Sequence, residues 1–454
     1  MPATAQRYIG QIQHGRECND SAPALRARLH SGARVITIAA FPGSTDPCPG
    51  SFYLLPGFVR EQPKLAAFAL LATFSSGFGQ TFFIAVFGGE LRGAFALSHA
   101  AYGALYAAGT IIAALLLPAV GHLIDRWPLR RITAAAIGVL ALGCMIMGAA
   151  FHVLVLGLGF VLIRLGGQGL LGQLGLTAAG RYFHAHRGKA VALAALGIPL
   201  GEASLPAPAV AIMGVADWRA AWLAAAAVAV LILLPLTRWL SREAPMPQQV
   251  DQPADQDTGI RHYSRREALR DPGFYFLIPA LLMVPFVVTG VLFHQSAIAE
   301  ARGWPLALVA TALTGFAAGH LLALLITGPL VDRFGAQRFL PLALLPMIAG
   351  LLLLAGADGN WVALAHLGLI GTSLGLVGIV GGALWPERYG IRHLGAIRSM
   401  AQTAMIFATA VAPVLLGALL DRGASMAILA LALAIVTAAT ALLTLAAPHK
   451  PAVR

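Results

Sequence analysis

Gly121-His-Leu-Ile-Asp125-Arg126 and Gly328-Pro-Leu-Val-Asp332-Arg333 are two versions of one G-x-L-x-D-R segment, 207 residues apart. The offset holds beyond them. Arg131 falls on Arg338, Arg181-Tyr182 on Arg388-Tyr389, and Gly188 on Gly395, with no gap needed. A register kept from Gly121 to Gly188 marks an internal repeat. The chain is therefore two related halves. Each copy is short and polar, and each lies between two long apolar runs.

Those runs set the fold. Crossing the hydrocarbon core of a bilayer takes about 20 apolar residues. Runs of that kind lie near 64–89, 98–120, 131–150, 153–180, 188–213 and 218–237, then near 273–299, 305–327, 338–357, 361–385, 395–420 and 424–447. The composition agrees. Hydrophobic residues make up 58% and charged residues 11% of the 454 residues, and the mean hydropathy is +0.77. A water-soluble domain carries about 25% charged residues, so lipid must be the main solvent of this chain. The expectation is an all-α membrane protein with twelve transmembrane helices in two pseudo-symmetric six-helix bundles, 64–238 and 273–447.

The net charge of +12 reports topology, and nucleic acid is not an expected partner. Seventeen basic residues fall in the loops on one side of the membrane, among them Arg126, Arg130, Arg131, Arg187, Arg242, Arg270, Arg333 and Arg398. The opposite loops hold four, Arg92, Arg219, Arg302 and Arg422. Basic residues stay cytoplasmic, which places both termini inside. Ala, Gly and Arg richness points to a bacterial genome, and so to a bacterial inner membrane. Residues 239–272, with Pro245, Pro247, Asp251, Asp255 and Asp257, read as a flexible polar linker. Residues 1–63 read as an irregular cytoplasmic tail or as an over-extended gene start, and 448–454 as a short tail. Cys18, Cys48 and Cys144 show no metal or redox spacing.

The paired G-x-L-x-D-R segments, each between an even span and the next odd one, resemble the major facilitator superfamily. Gly335 follows Asp332 by three residues as that family's pattern asks, whereas Pro128 stands there in the first copy. The stretch Arg181-Tyr-Phe-His184-x-His186-Arg187-Gly188-Lys189, then Gly197-x-Pro199-x-Gly201, Asp217-Trp218-Arg219 and Phe293-His294-Gln295, is similar to the monocarboxylate-transporter branch. The resemblance implies alternating-access transport of a small solute. It makes Asp125, Arg126, Arg130, Asp332 and Arg333 a cytoplasmic gate that latches the bundle when the outside is open. It makes the first, fourth, seventh and tenth spans the pathway lining.

Polar residues inside the spans carry the rest. Arg164 is the only basic residue mid-way along a span, and Glu202 the only acidic residue deep in one; their repeat counterparts are Gly371 and Thr409. A charge at the bilayer centre costs about 2.5–3.5 kcal/mol on insertion scales and normally faces a cavity or partner. Arg164 is expected to face the central cavity and draw an anionic group, with Gln168 on the same helix face. Glu202 reads as its counter-ion or as a proton carrier; the alternative is a structural pair tying the fourth span to the fifth. Thr73, Ser76 and Gln80 are spaced to share one helix face, so Gln80 and Thr81 are candidate solute contacts, or interhelix bonds. Among His294, His320 and His366, His294 with Gln295 is the stronger candidate, the others reading as packing residues. His184 and His186 read as solvated loop residues. Pro199, Pro206 and Pro208 are expected to bend the fifth span.

No hydrolase elbow, phosphate-cradling loop or zinc spacing is present, so no cofactor, metal or enzymatic activity is expected. The leading expectation is a monomeric secondary transporter of a small organic solute, of monocarboxylate type, with a proton as candidate companion. Export of amphipathic compounds and a non-transporting membrane sensor are the alternatives. The topology is checked by replacing Cys18 and Cys48 with serine and introducing Asp255→Cys. A membrane-impermeant maleimide should label it only in inside-out vesicles; labelling of intact cells would reverse the orientation.

Overall fold

The computed structural model describes residues 59, 62–121, 123–183, 186–245, 263–390 and 393–448. The tail readings for 1–63 and 448–454 therefore lie almost wholly outside the described residues, as do His184 and the linker carboxylates Asp251, Asp255 and Asp257.

Twelve helices among the described residues are long and apolar enough to cross a membrane. They run Pro63–Ala85, His99–Gly121, Leu129–Gly148, Val153–Tyr182, Arg187–Val215 and Trp218–Leu240, then Pro272–Phe293, Leu306–Phe334, Ala336–Gly356, Trp361–Tyr389, Ala396–Asp421 and Met426–Leu445. In hydrocarbon every backbone N–H and C=O must be paired within the chain, and a helix does this locally. Large side chains such as Leu158, Leu231, Leu325 and Ile435 stand exposed along these helices, where lipid would cover them. The repeat is kept in space. His99 and Leu306, and Leu129 and Ala336, open matching helices 207 residues apart.

Caps fix the starts. Asp217 accepts from the Ala220 N–H, Asp271 from Gly273, and Ser425 from Ile428. Within the stretch whose composition predicts a flexible linker, Ser264 and Glu267 form a reciprocal capping box on a short helix, Arg265–Arg270, which leads straight into the seventh span. The two copies of the repeated segment turn differently. Gly335 takes φ +80°, a conformation that suits only glycine, while Pro128 sits at φ −53°, ψ 138° as an ordinary extended cap.

The first and fifth spans depart from the continuous helices the apolar runs predict. The first is helical over Pro63–Ser75, tightens to 3₁₀ at Ser76–Gly79, and is extended at Gln80. Thr73, Ser76 and Gln80 therefore do not keep one helical face. Thr73 and Ser76 instead bond to nearby carbonyls, Thr73 also to Ala194 of the fifth span. The fifth span breaks at Leu196 and Leu205 into three short helices, the last opening on Pro206, as its prolines predict.

Halves meet along two seams, the second span against the eleventh and the fifth against the eighth. Here we call the side with the arginine-rich loops the basic end and the other the far end. At the far end the halves are locked. A β-carbon on Gly103 would lie 2.6 Å from the Pro413 carbonyl, and one on Gly417 equally close to that of His99, so only glycine permits this crossing. Tyr102 stacks on Phe293 at 4.7 Å, and Arg92 lies 3.4 Å from Glu300. The Asp421 carboxylate accepts from the His99 and Ala100 N–H groups, capping the second span from the opposite half. At the basic end Leu115, Leu116, Pro118 and Ala119 of the second span are exposed, as are Arg398, Ser399, Gln402 and Thr403 of the eleventh.

Glycine contacts yield a stability prediction. A β-carbon on Gly197 would overlap Thr73 and the Leu70 carbonyl of the first span, whereas one on Gly138 meets nothing within 4 Å. Gly197→Val should abolish the monodisperse peak of purified protein in size exclusion, and Gly138→Ala should leave it unchanged.

Candidate translocation site

The first and fourth spans come together at an unusual crossing. Gly79 packs on Gly167, where a β-carbon on either would lie 2.8–2.9 Å from its partner's backbone. The break after Gly79 leaves its carbonyl without a helical donor, because the Phe83 N–H goes to Gln80 instead. Facing it, the fourth span loosens into a π-helical segment over Arg164–Leu171. Such segments concentrate at functional sites.

Arg164 opens that segment. Its Nη1 donates to the Gly79 carbonyl at 3.0 Å, and the guanidinium lies over the Tyr106 ring at 5.0 Å. The residue is 2% exposed and its Nε has no partner. Aromatic contact with a desolvated cation is worth about 2 kcal/mol, which with one carbonyl bond offsets part of the cost of the buried charge. No carboxylate pairs with it among the described residues. Tyr106 is itself held, its hydroxyl 2.7 Å from that of Thr81. Its ring packs on Phe293 of the other half at 4.6 Å. The guanidinium is thus covered from the far end by a Tyr102–Tyr106–Phe293 lid and does not stand open to a wide cavity in this conformation.

Glu202 is not the counter-ion of Arg164. The fifth span turns it toward the eighth, where His320 Nδ1 donates to its Oε2 across 2.9 Å. Both residues are buried, and the bond joins the two halves. The correction has a simple cause: Glu202 sits on the helix Gly197–Ser204, which lies against the eighth span along the seam.

The other candidates divide. Gln295 is 1% exposed with both amide atoms unpartnered, and the Tyr102 hydroxyl is likewise orphaned. His294 Nε2 donates to the Pro413 carbonyl at 2.9 Å within its own half, a packing bond. Gln168 and Gln80 are half-buried, with no side-chain hydrogen bond among the described residues. Of the gate residues, Arg126, Arg130, Asp332 and Arg333 are exposed and make no bond between the halves among the described residues; the side chain of Asp125 lies outside them. Asp217-Trp218-Arg219 is a structural tie: Arg219 covers Trp218 at 4.1 Å and donates to the Ala150 carbonyl.

Two residues do more than the sequence reading assigns them, which is packing for His320 and a basic loop for Arg398. His320 sits opposite Ala113 in the repeat. The same test of one-sided polarity that marks Arg164 and Glu202 would find it. Arg398, which the charge pattern groups with the basic loops, lies inside the eleventh span and lines a cavity between the seventh, tenth and eleventh spans.

Two repeated six-helix bundles, locked at one end and holding a bare cation and a carboxylate–imidazole bridge where they meet, define a polytopic membrane transporter. Its lineage follows from comparison. The chain belongs to the Major Facilitator Superfamily, whose family model matches residues 69–310 and 286–454. No curated protein matches it. Among solved structures it is similar to a bacterial homolog of the human lysosomal transporter Spinster, in an inward-facing and unoccupied conformation. The TM-score is 0.60 at 17% identity, over 85% of this chain and 96% of that one. It is also similar to the nucleoside transporter NupG, with a TM-score of 0.65 at 15% identity, over 86% of this chain and 99% of that one. Likeness at these identities is likeness of fold.

The bridge can be tested directly. Glu202→Leu or His320→Leu leaves the other partner buried and unpaired, at a cost of about 1–3 kcal/mol. Each single change should lower the melting temperature of the purified protein, and the double change should recover part of the loss. A double variant whose loss equals the sum of the two single losses would show that the pair contributes no mutual stabilisation.

Proposed function

We propose that this chain is a secondary active transporter of a small organic anion of the monocarboxylate type, coupled to protons. The observation that carries the reading is Arg164, a buried guanidinium with an unpartnered Nε and no acidic partner among the described residues. A carboxylate would supply what the protein withholds, because a guanidinium donates two parallel hydrogen bonds to it. The Tyr102 hydroxyl, whose ring stacks on Phe293, and the Gln295 amide, two residues along the chain from Phe293, are also orphaned and favour a polar occupant.

Glu202 and His320 support proton coupling. Ionisable pairs inside a membrane mark proton relays, and this pair spans the seam between the halves, so a proton carried there would be coupled to their contact. With basic loops cytoplasmic, the locked far end and the exposed second- and eleventh-span residues at the basic end favour an inward-facing state. The exposed gate arginines then belong to a latch that engages in the opposite state. The setting is a bacterial inner membrane with both termini inside, and the working unit is a monomer.

Uptake of labelled short monocarboxylates into proteoliposomes tests both parts. Arg164→Ala should abolish uptake, and Arg164→Lys should keep only a small fraction, since lysine retains the charge without the two-pronged grip. Wild-type rates in both variants would end the anion site. Glu202→Gln should remove the acceleration produced by an imposed pH gradient; if acceleration persists, the proton travels elsewhere.

A further inference from the structure

A slot opens between the seventh, tenth and eleventh spans, in the halves of those helices nearest the basic end. It encloses about 330 Å³, near the small end of the roughly 300–1,000 Å³ typical of ligand pockets. Its wall is mainly apolar, with Leu281, Leu374, Val377, Trp385 and Met405; Gln402 is its one neutral polar side chain and Arg398 its single charged one.

Arg398 is placed there by a defect in the tenth span. Pro386 has no N–H, so the Gly382 carbonyl four residues before it lacks its helical donor. Arg398 Nη2 donates to that oxygen at 2.6 Å. The bond anchors one edge of the guanidinium. The rest is exposed and has no acidic partner among the described residues. At the repeat offset Arg398 and Pro386 become Val191 and Ala179, so the device exists in the second half alone.

We infer that this slot binds a single-chain amphiphilic anion, its chain along the apolar wall and its carboxylate on the free edge of Arg398. Each part of the class follows from the lining. A cation would meet Arg398 and the positive field of the basic loops with no carboxylate to answer it. A small hydrophilic anion would lose water to an apolar wall without return. A two-chain phospholipid would leave its second chain outside the slot. The site lies apart from Arg164 and holds whether or not that residue grips a solute.

Trp385 in the lining provides the probe. The full chain in phosphatidylcholine nanodiscs is titrated with a terminally brominated medium-chain carboxylate and with its alcohol analogue, and tryptophan quenching is read. The carboxylate should quench at a concentration about tenfold lower than the alcohol, the worth of one charge-assisted contact. Trp385→Phe should remove the saturable part of the response, leaving the non-saturating quenching of exposed tryptophans such as Trp239 and Trp361. Arg398→Gln should bring the carboxylate to the level of the alcohol, and Arg398→Lys should keep part of the difference. Gly378 lines the slot with nothing within 4 Å of its β-carbon position, so Gly378→Leu should fill the space without strain and weaken both ligands. Equal quenching by acid and alcohol in the unaltered protein, or a preference that survives Arg398→Gln, would overturn the inference. Loss of carboxylate quenching in discs containing phosphatidylglycerol would also overturn it, by giving the slot to bilayer lipid. The readout is binding alone, so its failure and a failure of carboxylate uptake are separate results.

Discussion

Inside hydrocarbon, a backbone carbonyl that loses its helical donor has no water to turn to. Much of this structure answers that constraint, and the answer is repeatedly an arginine. Arg164 donates to Gly79 where the first span breaks, and Arg398 to Gly382 where Pro386 withholds a donor. Arg219 donates to Ala150 at the end of the third span; its repeat counterpart Ala357 receives Arg302 instead. Arg181 donates to Ile124 within the first repeated segment. A guanidinium suits the task because it carries several N–H groups in a fixed fork. One can satisfy the backbone while others remain for a ligand.

This double duty explains which features the sequence discloses. Span limits are legible to within a few residues along most of the chain, because length and apolarity alone decide whether a segment crosses. The two-bundle architecture is legible in the constant offset of Arg131, Arg181 and Gly188 from their partners. The break between Ser76 and Gln80 is not, in the sense that nothing local forces it: Ser-Gly-Phe-Gly at 76–79 tolerates a helix, and the close approach of Gly167 selects otherwise. Arg398 is hidden because a basic residue near a span end satisfies the topology rule and stops attracting attention. The pairing of Glu202 with His320 joins residues 118 positions apart. Periodicity shows which face a residue occupies but not which span lies opposite.

The halves share a scaffold and differ where chemistry is concentrated. Arg164 and Glu202 belong to the first bundle, His320 and Arg398 to the second, and each has a neutral residue as its repeat counterpart. The second bundle also has a buried hub, in which Arg388 binds Asp271 and Gln337 and the Pro448 carbonyl, with Tyr389 adding a bond to Asp271. Arg181, the equivalent of Arg388, donates to the Ile124 carbonyl. Duplication supplied the shell, and divergence at a few positions made the two sides of the passage unlike.

The cap that Asp421 places on the second span ties shape to motion. That carboxylate holds the first free N–H groups of a helix in the other bundle. Parting the bundles on that side strips the helix of its cap and frees two donors. Asp421 stands exposed, so water is at hand to replace it, and separation exchanges one hydrogen-bond partner for another at small net cost. The cap thus specifies how the two bundles meet without fastening them shut.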